Sequence, residues 1–524
     1  MSELQPVLIA GRWRDAVDPV SFFHAENPAT GEALPESYPV SGPDDIEEAL
    51  RSAAEAVETL RTIPVETLAV FLEDVATAFE GDRAELVALA HRETGYPVQP
   101  RLDAVELPRT CNQLRLAAQS VRERSWQNPT VDTAAGIRSR FEPLGGAVLV
   151  FGPNNFPFAF NAVSGGDFVA AIAAGCPVIA KAHASHPGTS RRLAEHVARA
   201  ARNHGLPPGM VQMLYRMDHA LTHRLIADPR VAAVGFTGSR SAGLAIKETA
   251  DRSGKPVYLE MSSVNPVFVL EGALHERGAA IAGEFFTSCT MGAGQFCTNP
   301  GLIVVPAGLA GDQFVEACVE SFANAAPGVL LGRSGLRSVG EAVDILRAAG
   351  AEVRVGGAPL PGPGYRYANT LLTVDAECFV QDPQRFQTEA FGPVALLVRA
   401  DEGGMVDVVH HLEGNLTGTL YTATDGSDDA LSDRISPILR TKVGRLLNDK
   451  MPTGVAVSPA MNHGGPYPAT GHPHFTSVGL PAAIGRFARL ASYDAVRPHR
   501  LPAELQDGNP LGIVRRVDGI WGVH

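Results

Sequence analysis

The sequence predicts an α/β protein built as two successive units, each with a parallel sheet between layers of helices. Three observations point there. Short apolar runs such as Ala147-Val-Leu-Val-Phe151 and Val231-Ala-Ala-Val-Gly-Phe236 alternate with helix-length segments, as in strand-crossover-strand units. These runs are apolar throughout, as strands buried on both faces must be. A chain of 524 residues is also too long for one core and should divide.

Residues 5–45 read as turn-rich, with Asn27-Pro-Ala-Thr-Gly-Glu32 as a reversal. A helical pattern opens at Gly42-Pro-Asp-Asp45, where the aspartates are the expected N-cap, and runs with breaks to about Ser125. Strands are then expected at Ala147–Phe151, Pro177–Lys181, Met210–Tyr215, Val231–Phe236 and Val257–Glu260, with helices over Ser190–His204 and Gly238–Ala250. From 260 to about 460 a second α/β pattern carries strands at Gly301–Val305, Val394–Val398 and Gly418–Thr422. Gly356–Tyr367, with three prolines and four glycines, is expected to be surface loop. Residues 462–479 are rich in Gly, Pro and His without periodicity, which suits a loop lining a site.

Lys and Arg number 44 against 57 Asp and Glu, a net charge of −13 with His neutral. That balance argues against nucleic acid or an anionic membrane as the main partner. No apolar stretch approaches the roughly 20 residues of a membrane helix, and no secretory signal is expected. Six cysteines (Cys111, Cys176, Cys289, Cys297, Cys318 and Cys378) lack CxxC or Cys/His spacing. They read as reduced thiols of a cytoplasmic protein, with no metal site expected.

The strongest chemical signal lies in Phe285–Gly301. Cys297 follows a loop built on Gly292, Gly294 and Gln295, where missing Cβ atoms let backbone bend closely around a thiol. Cys289 sits in the preceding helical pattern and reads as packing. Glu260 ends an apolar strand 37 residues before Cys297. A cysteine nucleophile and a carboxylate base in one site would form and hydrolyse a thioester. Singly, Cys297 reads more often as a small buried apolar thiol, and Glu260 equally as a paired structural carboxylate. Burial would raise the Glu260 pKa toward that of a working base.

Phe151-Gly-Pro-Asn-Asn-Phe-Pro157 follows the first parallel strand, at the carboxyl edge where such sheets bind ligands. Asn155, in preference to Asn154, is the candidate donor to a developing oxyanion. Gly238-Ser-Arg-Ser-Ala-Gly243 is neither GxGxxG nor a Walker loop. Its free N–H groups and positive helix end nevertheless suit a pyrophosphate. Lys181 ends an otherwise apolar strand on the same edge, within reach of cofactor hydroxyls or phosphate.

Taken in order, Asn27-Pro-Ala-Thr-Gly-Glu32, Glu142-Pro-Leu-Gly145, Asn155-Phe-Pro157, Gly175-Cys-Pro-Val-Ile-Ala-Lys181, Gly235-Phe-Thr-Gly-Ser239, Leu259-Glu-Met261, Gly294-Gln-Phe-Cys-Thr298 and Glu389-Ala-Phe-Gly-Pro393 resemble the aldehyde dehydrogenase superfamily across nearly the whole chain. Met261-Ser-Ser-Val-Asn-Pro266, Gly294–Gly301 and His463-Gly-Gly-Pro-Tyr-Pro-Ala-Thr470 look like its 2-oxoglutarate semialdehyde (2,5-dioxovalerate) branch, which has relatives acting on long-chain aldehydes. One departure is Val457-Ser-Pro-Ala460 before Met461-Asn-His463, where that branch suggests a Cys-His pair.

The resemblance implies an α/β fold of two doubly wound domains plus a small β oligomerisation arm. The dinucleotide-binding domain would span 1–122 and 144–258, and the catalytic domain 259–479. The arm and C-terminal segment would span 123–143 and 480–524, within a homodimer or homotetramer. By resemblance, Cys297 attacks the aldehyde, Asn155 and the Cys297 N–H hold the oxyanion, and Glu260 activates the hydrolytic water. Cys297 is expected to be partly thiolate near neutral pH.

Lys181 and Glu389, with Phe391 in the same segment, would hold the cofactor's ribose, and Gly238 and Ser239 its pyrophosphate. NAD-preferring members carry a glutamate three residues after the lysine. Ala184 stands there instead, so NADP is expected to be favoured over NAD, with Arg216 as phosphate partner. Phe156 and Arg109 would line the aldehyde tunnel, Arg109 clamping a distal carboxylate. The implied reaction is NAD(P)-dependent oxidation of 2-oxoglutarate semialdehyde, with a long-chain or aromatic aldehyde as the alternative. Glu260 argues against a CoA-acylating enzyme, and Cys297 against a non-catalytic binding protein.

Overall fold

The computed structural model describes residues 4–523, whose strands sort into two large sheets, a five-stranded sheet and a hairpin. Across the first large sheet run Val257–Glu260, Val231–Thr237, Ala147–Phe151, Val178–Lys181 and Val211–Leu214, all parallel, then Val7–Ile9 and Arg12–Arg14, both antiparallel. The chain enters at Ala147–Phe151, works outward to one side, and returns on the other with Val231–Thr237. The strand order therefore reverses between those two strands, and a ligand crevice belongs at their carboxyl ends. Register places Phe151 beside both Lys181 and Phe236, and Thr237 beside Glu260, so one edge carries Lys181, the Asn155 turn, Gly238 and Glu260.

Residues 5–45 hold more structure than a run of turns. Four strands lie there, and Asn27–Glu32 is the reversal between Ser21–Asn27 and Glu32–Val40. The short strand Val7–Ile9 gains its stability from pairing onto Val211–Leu214, a partner distant in sequence, and Arg12–Arg14 pairs onto Val7–Ile9 in turn. The helix Pro43–Leu60 starts from Gly42 with Pro43 in its first turn, where a fixed φ and a missing N–H cost nothing. Asp45 is not its cap. It is buried, 2.9 Å from Arg14 and accepting from the Val17 N–H.

The second large sheet orders Glu352–Val355, Thr370–Asp375, Val394–Ala400, Leu302–Pro306, Val267–Val269, Asn415–Tyr421 and Val443–Asn448, parallel except for the first strand. Met261–Pro266 links Glu260 directly to Val267–Val269, and the Cys297 loop leads into Leu302–Pro306. The carboxyl edge of the first sheet therefore meets the amino edge of the second. In the smaller sheet Ala488–Asp494 pairs along its whole length with Ile137–Pro143, followed by Thr130–Asp132, Arg515–Val517 and Ile520–Gly522. Among the described residues no helix is long and apolar enough to cross a membrane.

Candidate active site

The loop carrying Cys297 begins where the helix Glu271–Thr290 ends, and Cys289 is packed inside that helix. Gly292, Ala293 and Gly294 all adopt positive φ. A Cβ on Gly294 would lie 2.0 Å from the Gly392 carbonyl oxygen, so only glycine fits this crossing. Asn265 Nδ2 donates to the carbonyls of Cys297 (2.9 Å) and Asn299 (2.8 Å). The Asn415 carboxamide oxygen in turn accepts from Val264 N and Asn265 N, fixing the linker from Glu260. Two buried asparagines thus lock the backbone of nucleophile and carboxylate together.

At the centre, His463 Nε2 lies 3.3 Å from Cys297 Sγ and 3.0 Å from Glu260 Oε1. Ser477 donates to the other Glu260 oxygen at 3.1 Å. The 462–479 loop reaches this position by pairing with the strand end: Met261 N donates to Ala469 O at 2.8 Å and Gly471 N to Leu259 O at 3.1 Å. His463 and Ser477 are functional residues that sequence reasoning missed. The only signal was a histidine in an aperiodic loop flagged as site-lining.

Two electrostatic expectations are overturned. Burial pushes the Glu260 carboxyl up, but the His463 charge and hydrogen bonds from His463, Cys297 and Ser477 outweigh it, leaving Glu260 below the usual range. Cys297, expected to be depressed, is pushed well above an ordinary thiol, first by burial and then by the Glu260 carboxylate. The opposing pull of Arg109 is too weak to reverse this. The resting site holds a protonated thiol beside an ionised carboxylate, and the thiol proton must leave during attack.

Asn155 Nδ2 donates to Gln295 O at 2.9 Å, tying its turn to the cysteine loop. A carboxamide has a second N–H, which remains for an oxyanion. Behind it Arg101 donates to Asn155 O at 3.0 Å and pairs with buried Glu106. Glu106 accepts from Phe158 N and Ala159 N at 2.8 and 3.0 Å. The Arg101 guanidinium also lies 4.5 Å over Phe156 and 5.2 Å over Phe296. This buried pair, unforeseen from the sequence, pins the Asn155 turn.

Phe156 packs with Phe160, Val455, Val457, Met461 and Val478 in an apolar cluster beside the thiol, and Val457 belongs to the departing 457–460 segment. Arg109 borders that cluster, with its guanidinium 5.1 Å over Phe160 and Nε donating to Val455 O at 3.3 Å. Its Nη1 is buried with no hydrogen-bond partner among the described residues, and burial lowers its pKa to about 10.

On the cofactor side Lys181 forms no hydrogen bond or ion pair among the described residues, and burial followed by the Arg216 charge lowers its pKa to about 8. Glu389 accepts from Ser263 N at 3.4 Å, and burial pushes it up to about 7. It shares a cavity lining with Phe391, Phe296 and Ser263. The Lys181 ammonium has no polar partner among the described residues and Glu389 keeps a carboxyl beside this cavity, an arrangement that fits the hydroxyls of a dinucleotide ribose.

Gly238 does not offer the free N–H expected of it, because that group donates to Glu260 O at 3.1 Å. What Gly238 supplies is space, since a Cβ there would lie 2.7 Å from Phe236 Cζ. Ser239 caps the helix Arg240–Arg252 by accepting from Ala242 N, so the helix end rather than Gly238 presents positive charge. Ala184 brings no carboxylate to the Lys181 turn. Arg216 is exposed, with its guanidinium 5.5 Å over Phe23, and buried His183 feels the charges of both Lys181 and Arg216.

Comparison with known proteins agrees with this arrangement. Residues 13–437 match the model of the aldehyde dehydrogenase family. The chain is 39% identical to alpha-ketoglutaric semialdehyde dehydrogenase 2 of Azospirillum brasilense, covering 95% of this chain and 96% of the relative. It is 36% identical to alpha-ketoglutaric semialdehyde dehydrogenase of Acinetobacter baylyi, covering 91% of both. Among solved structures, an NAD+ complex of aldehyde dehydrogenase from Bacillus cereus superposes with TM-score 0.79 at 22% identity, covering 94% of this chain and 96% of that one.

Proposed function

The chain belongs to the aldehyde dehydrogenase family, and from that premise we propose that it oxidises 2-oxoglutarate semialdehyde to 2-oxoglutarate with a nicotinamide dinucleotide, NADP in preference to NAD. Cys297 Sγ attacks the aldehyde carbon as its proton leaves to solvent, while His463 Nε2, hydrogen-bonded to the ionised Glu260, stands 3.3 Å from the sulfur. Negative charge builds on the former carbonyl oxygen, facing the second N–H of Asn155 and the Cys297 N–H. A bound nicotinamide would supply the hydride acceptor, and hydride loss from that oxyanion would leave the acyl group on Cys297 as a thioester. Glu260 then takes a proton from water, which attacks the thioester, and Cys297 leaves as a thiolate that takes that proton from Glu260, leaving the carboxylate ionised again. Ser477 and His463 keep Glu260 ionised, ready for that step. Lys181 and Glu389 would hold the ribose hydroxyls, and the start of the helix Arg240–Arg252 the pyrophosphate.

One observation carries the substrate class: the buried, unpartnered Nη1 of Arg109 beside an otherwise apolar cluster. A second cation, Arg445, donates to Pro452 O and Gly454 O and lies near enough for its charge to be felt by Cys297. An α-keto acid tail would satisfy Arg109. Arg109→Leu is expected to lower kcat/KM for the acidic semialdehyde by about 10- to 100-fold, the worth of a hydrogen bond to a charged group. Turnover of a neutral aldehyde should change little. A steady-state panel decides, and equal losses on both substrates would remove the assignment.

Lys181 and Arg216, with no acid at Ala184 and a neutral His183 between them, form a positive corner suited to a ribose 2′-phosphate. The expected result is a higher kcat/KM for NADP than for NAD, reduced by Arg216→Ala. A preference for NAD of about tenfold or more, roughly 1.4 kcal/mol, would overturn it.

The smaller sheet ends on Ile520–Gly522, whose outer edge pairs with no other strand among the described residues, and exposes Leu490, Ile520 and Trp521 at 58%, 64% and 54%. We infer that a second copy covers exposed apolar residues of this sheet in a homodimer or homotetramer. Sedimentation should show the oligomer, with Trp521→Glu shifting it to smaller species; a wild-type monomer would refute this. Free thiols at all six cysteines suit the reducing cytoplasm.

A further inference from the structure

We propose that Cys297, His463 and Glu260 form a three-ligand site for a soft divalent cation of the zinc class, whose occupation reversibly shuts the enzyme by capturing its nucleophile. Sγ, Nε2 and a carboxylate oxygen of these residues all lie within 4.8 Å of one another. The imidazole nitrogen stands between the other two, 3.3 Å from sulfur and 3.0 Å from oxygen. A tetrahedral zinc with bonds of about 2.0–2.3 Å separates its ligand atoms by roughly 3.4–3.6 Å. Widening the cluster by a few tenths of an ångström would therefore admit the ion.

The donor set selects the metal. Thiolate and imidazole favour zinc and its softer neighbours, whereas magnesium and calcium require several hard oxygens. Three protein ligands with an open fourth position is also the arrangement of zinc sites that retain a water. Supporting contacts hold each ligand: Ser477 on the second Glu260 oxygen, Thr476 Oγ1 accepting from His463 N at 3.0 Å, and Asn265 on the Cys297 carbonyl. An opening that admits an aldehyde admits an ion.

The exchange balances simply. The thiol proton is released to solvent, a sulfur–metal bond forms, and the imidazole and carboxylate each donate one lone pair. The sulfur's negative charge is then drawn into the metal bond, which makes it a much weaker nucleophile, and Glu260, held on the ion, cannot accept a proton from water. A chelator that removes the ion restores both.

The test uses the full chain, freed of metal by chelation and dialysis, titrated with zinc in competition with a chromophoric indicator. Wild type is expected to bind one equivalent tightly, with Cys297→Ala and His463→Gln each weakening that equivalent about 100-fold. Zinc should also block iodoacetamide labelling of Cys297, with chelator reversing the block and magnesium producing none. Cobalt(II) added to wild type should give the thiolate charge-transfer and visible bands of a tetrahedral site, a readout independent of whether a variant folds. Equal zinc binding by wild type and a folded Cys297→Ala or His463→Gln protein, unprotected labelling, or absent cobalt bands would overturn the proposal.

Discussion

Cys297→Ala is expected to remove aldehyde oxidation by at least about 10⁴-fold, the scale on which loss of a covalent nucleophile acts. The fold should survive, because the residue is only partly buried and its loop is held by Asn265 and Asn299 rather than by the sulfur. Its melting curve and dinucleotide binding should match wild type. The wild-type thiol carries a second expectation. Burial and the neighbouring Glu260 carboxylate keep it protonated well above the ordinary thiol range. Alkylation of the cofactor-free enzyme should therefore be slow at neutral pH and still be climbing at pH 9, about where a free cysteine approaches its plateau. A rate that is flat across that range would mean a resting thiolate, with no proton to lose before attack.

Glu260→Gln should separate the two halves of the reaction. Glutamine keeps the shape of the side chain and can still accept from Ser477, but it cannot take a proton from water. Steady-state turnover is expected to fall by about 10²–10⁴, the usual worth of a general base. A pre-steady-state burst of reduced cofactor should persist, and intact mass should show an acyl group retained on Cys297. Full turnover in this variant, or loss of the burst together with turnover, would show that Glu260 is not the base for hydrolysis. In wild type the carboxyl lies below its usual range, so deacylation should survive at a pH where a free glutamate, with a pKa of about 4.3, is half protonated. That limb is lost only as pH falls through the lower folded-state value.

His463 links the two experiments. It touches both groups, so its replacement should slow acylation and deacylation together, whereas Glu260→Gln slows the second step alone. Arg101 and Glu106 act further back, since they touch the Asn155 turn and not the reacting atoms.

What the sequence determined by itself was carried by local grammar. Apolar runs between helical segments located the parallel strands, because a strand covered on both faces has no reason to alternate. Gly294, next to Gln295 and Cys297, announced a close crossing, because glycine alone tolerates positive φ without a clash. Strand ends at Lys181 and Glu260 and the turn at Asn155 followed from the same logic, since one sheet edge collects them.

Tertiary structure alone decided the rest. Val7–Ile9 reads as turn-rich locally and becomes a strand only because Val211–Leu214 offers a partner. His463 lies 166 residues from Cys297, and nothing in its own segment fixes where its ring points. The pKa directions of Cys297 and Glu260 reversed because a pKa belongs to an environment. The sulfur was enclosed beside a negative charge, and the carboxyl received hydrogen bonds from residues far along the chain. Residue type and spacing identify a chemical group; its charge state and reach depend on neighbours that only the folded chain brings together.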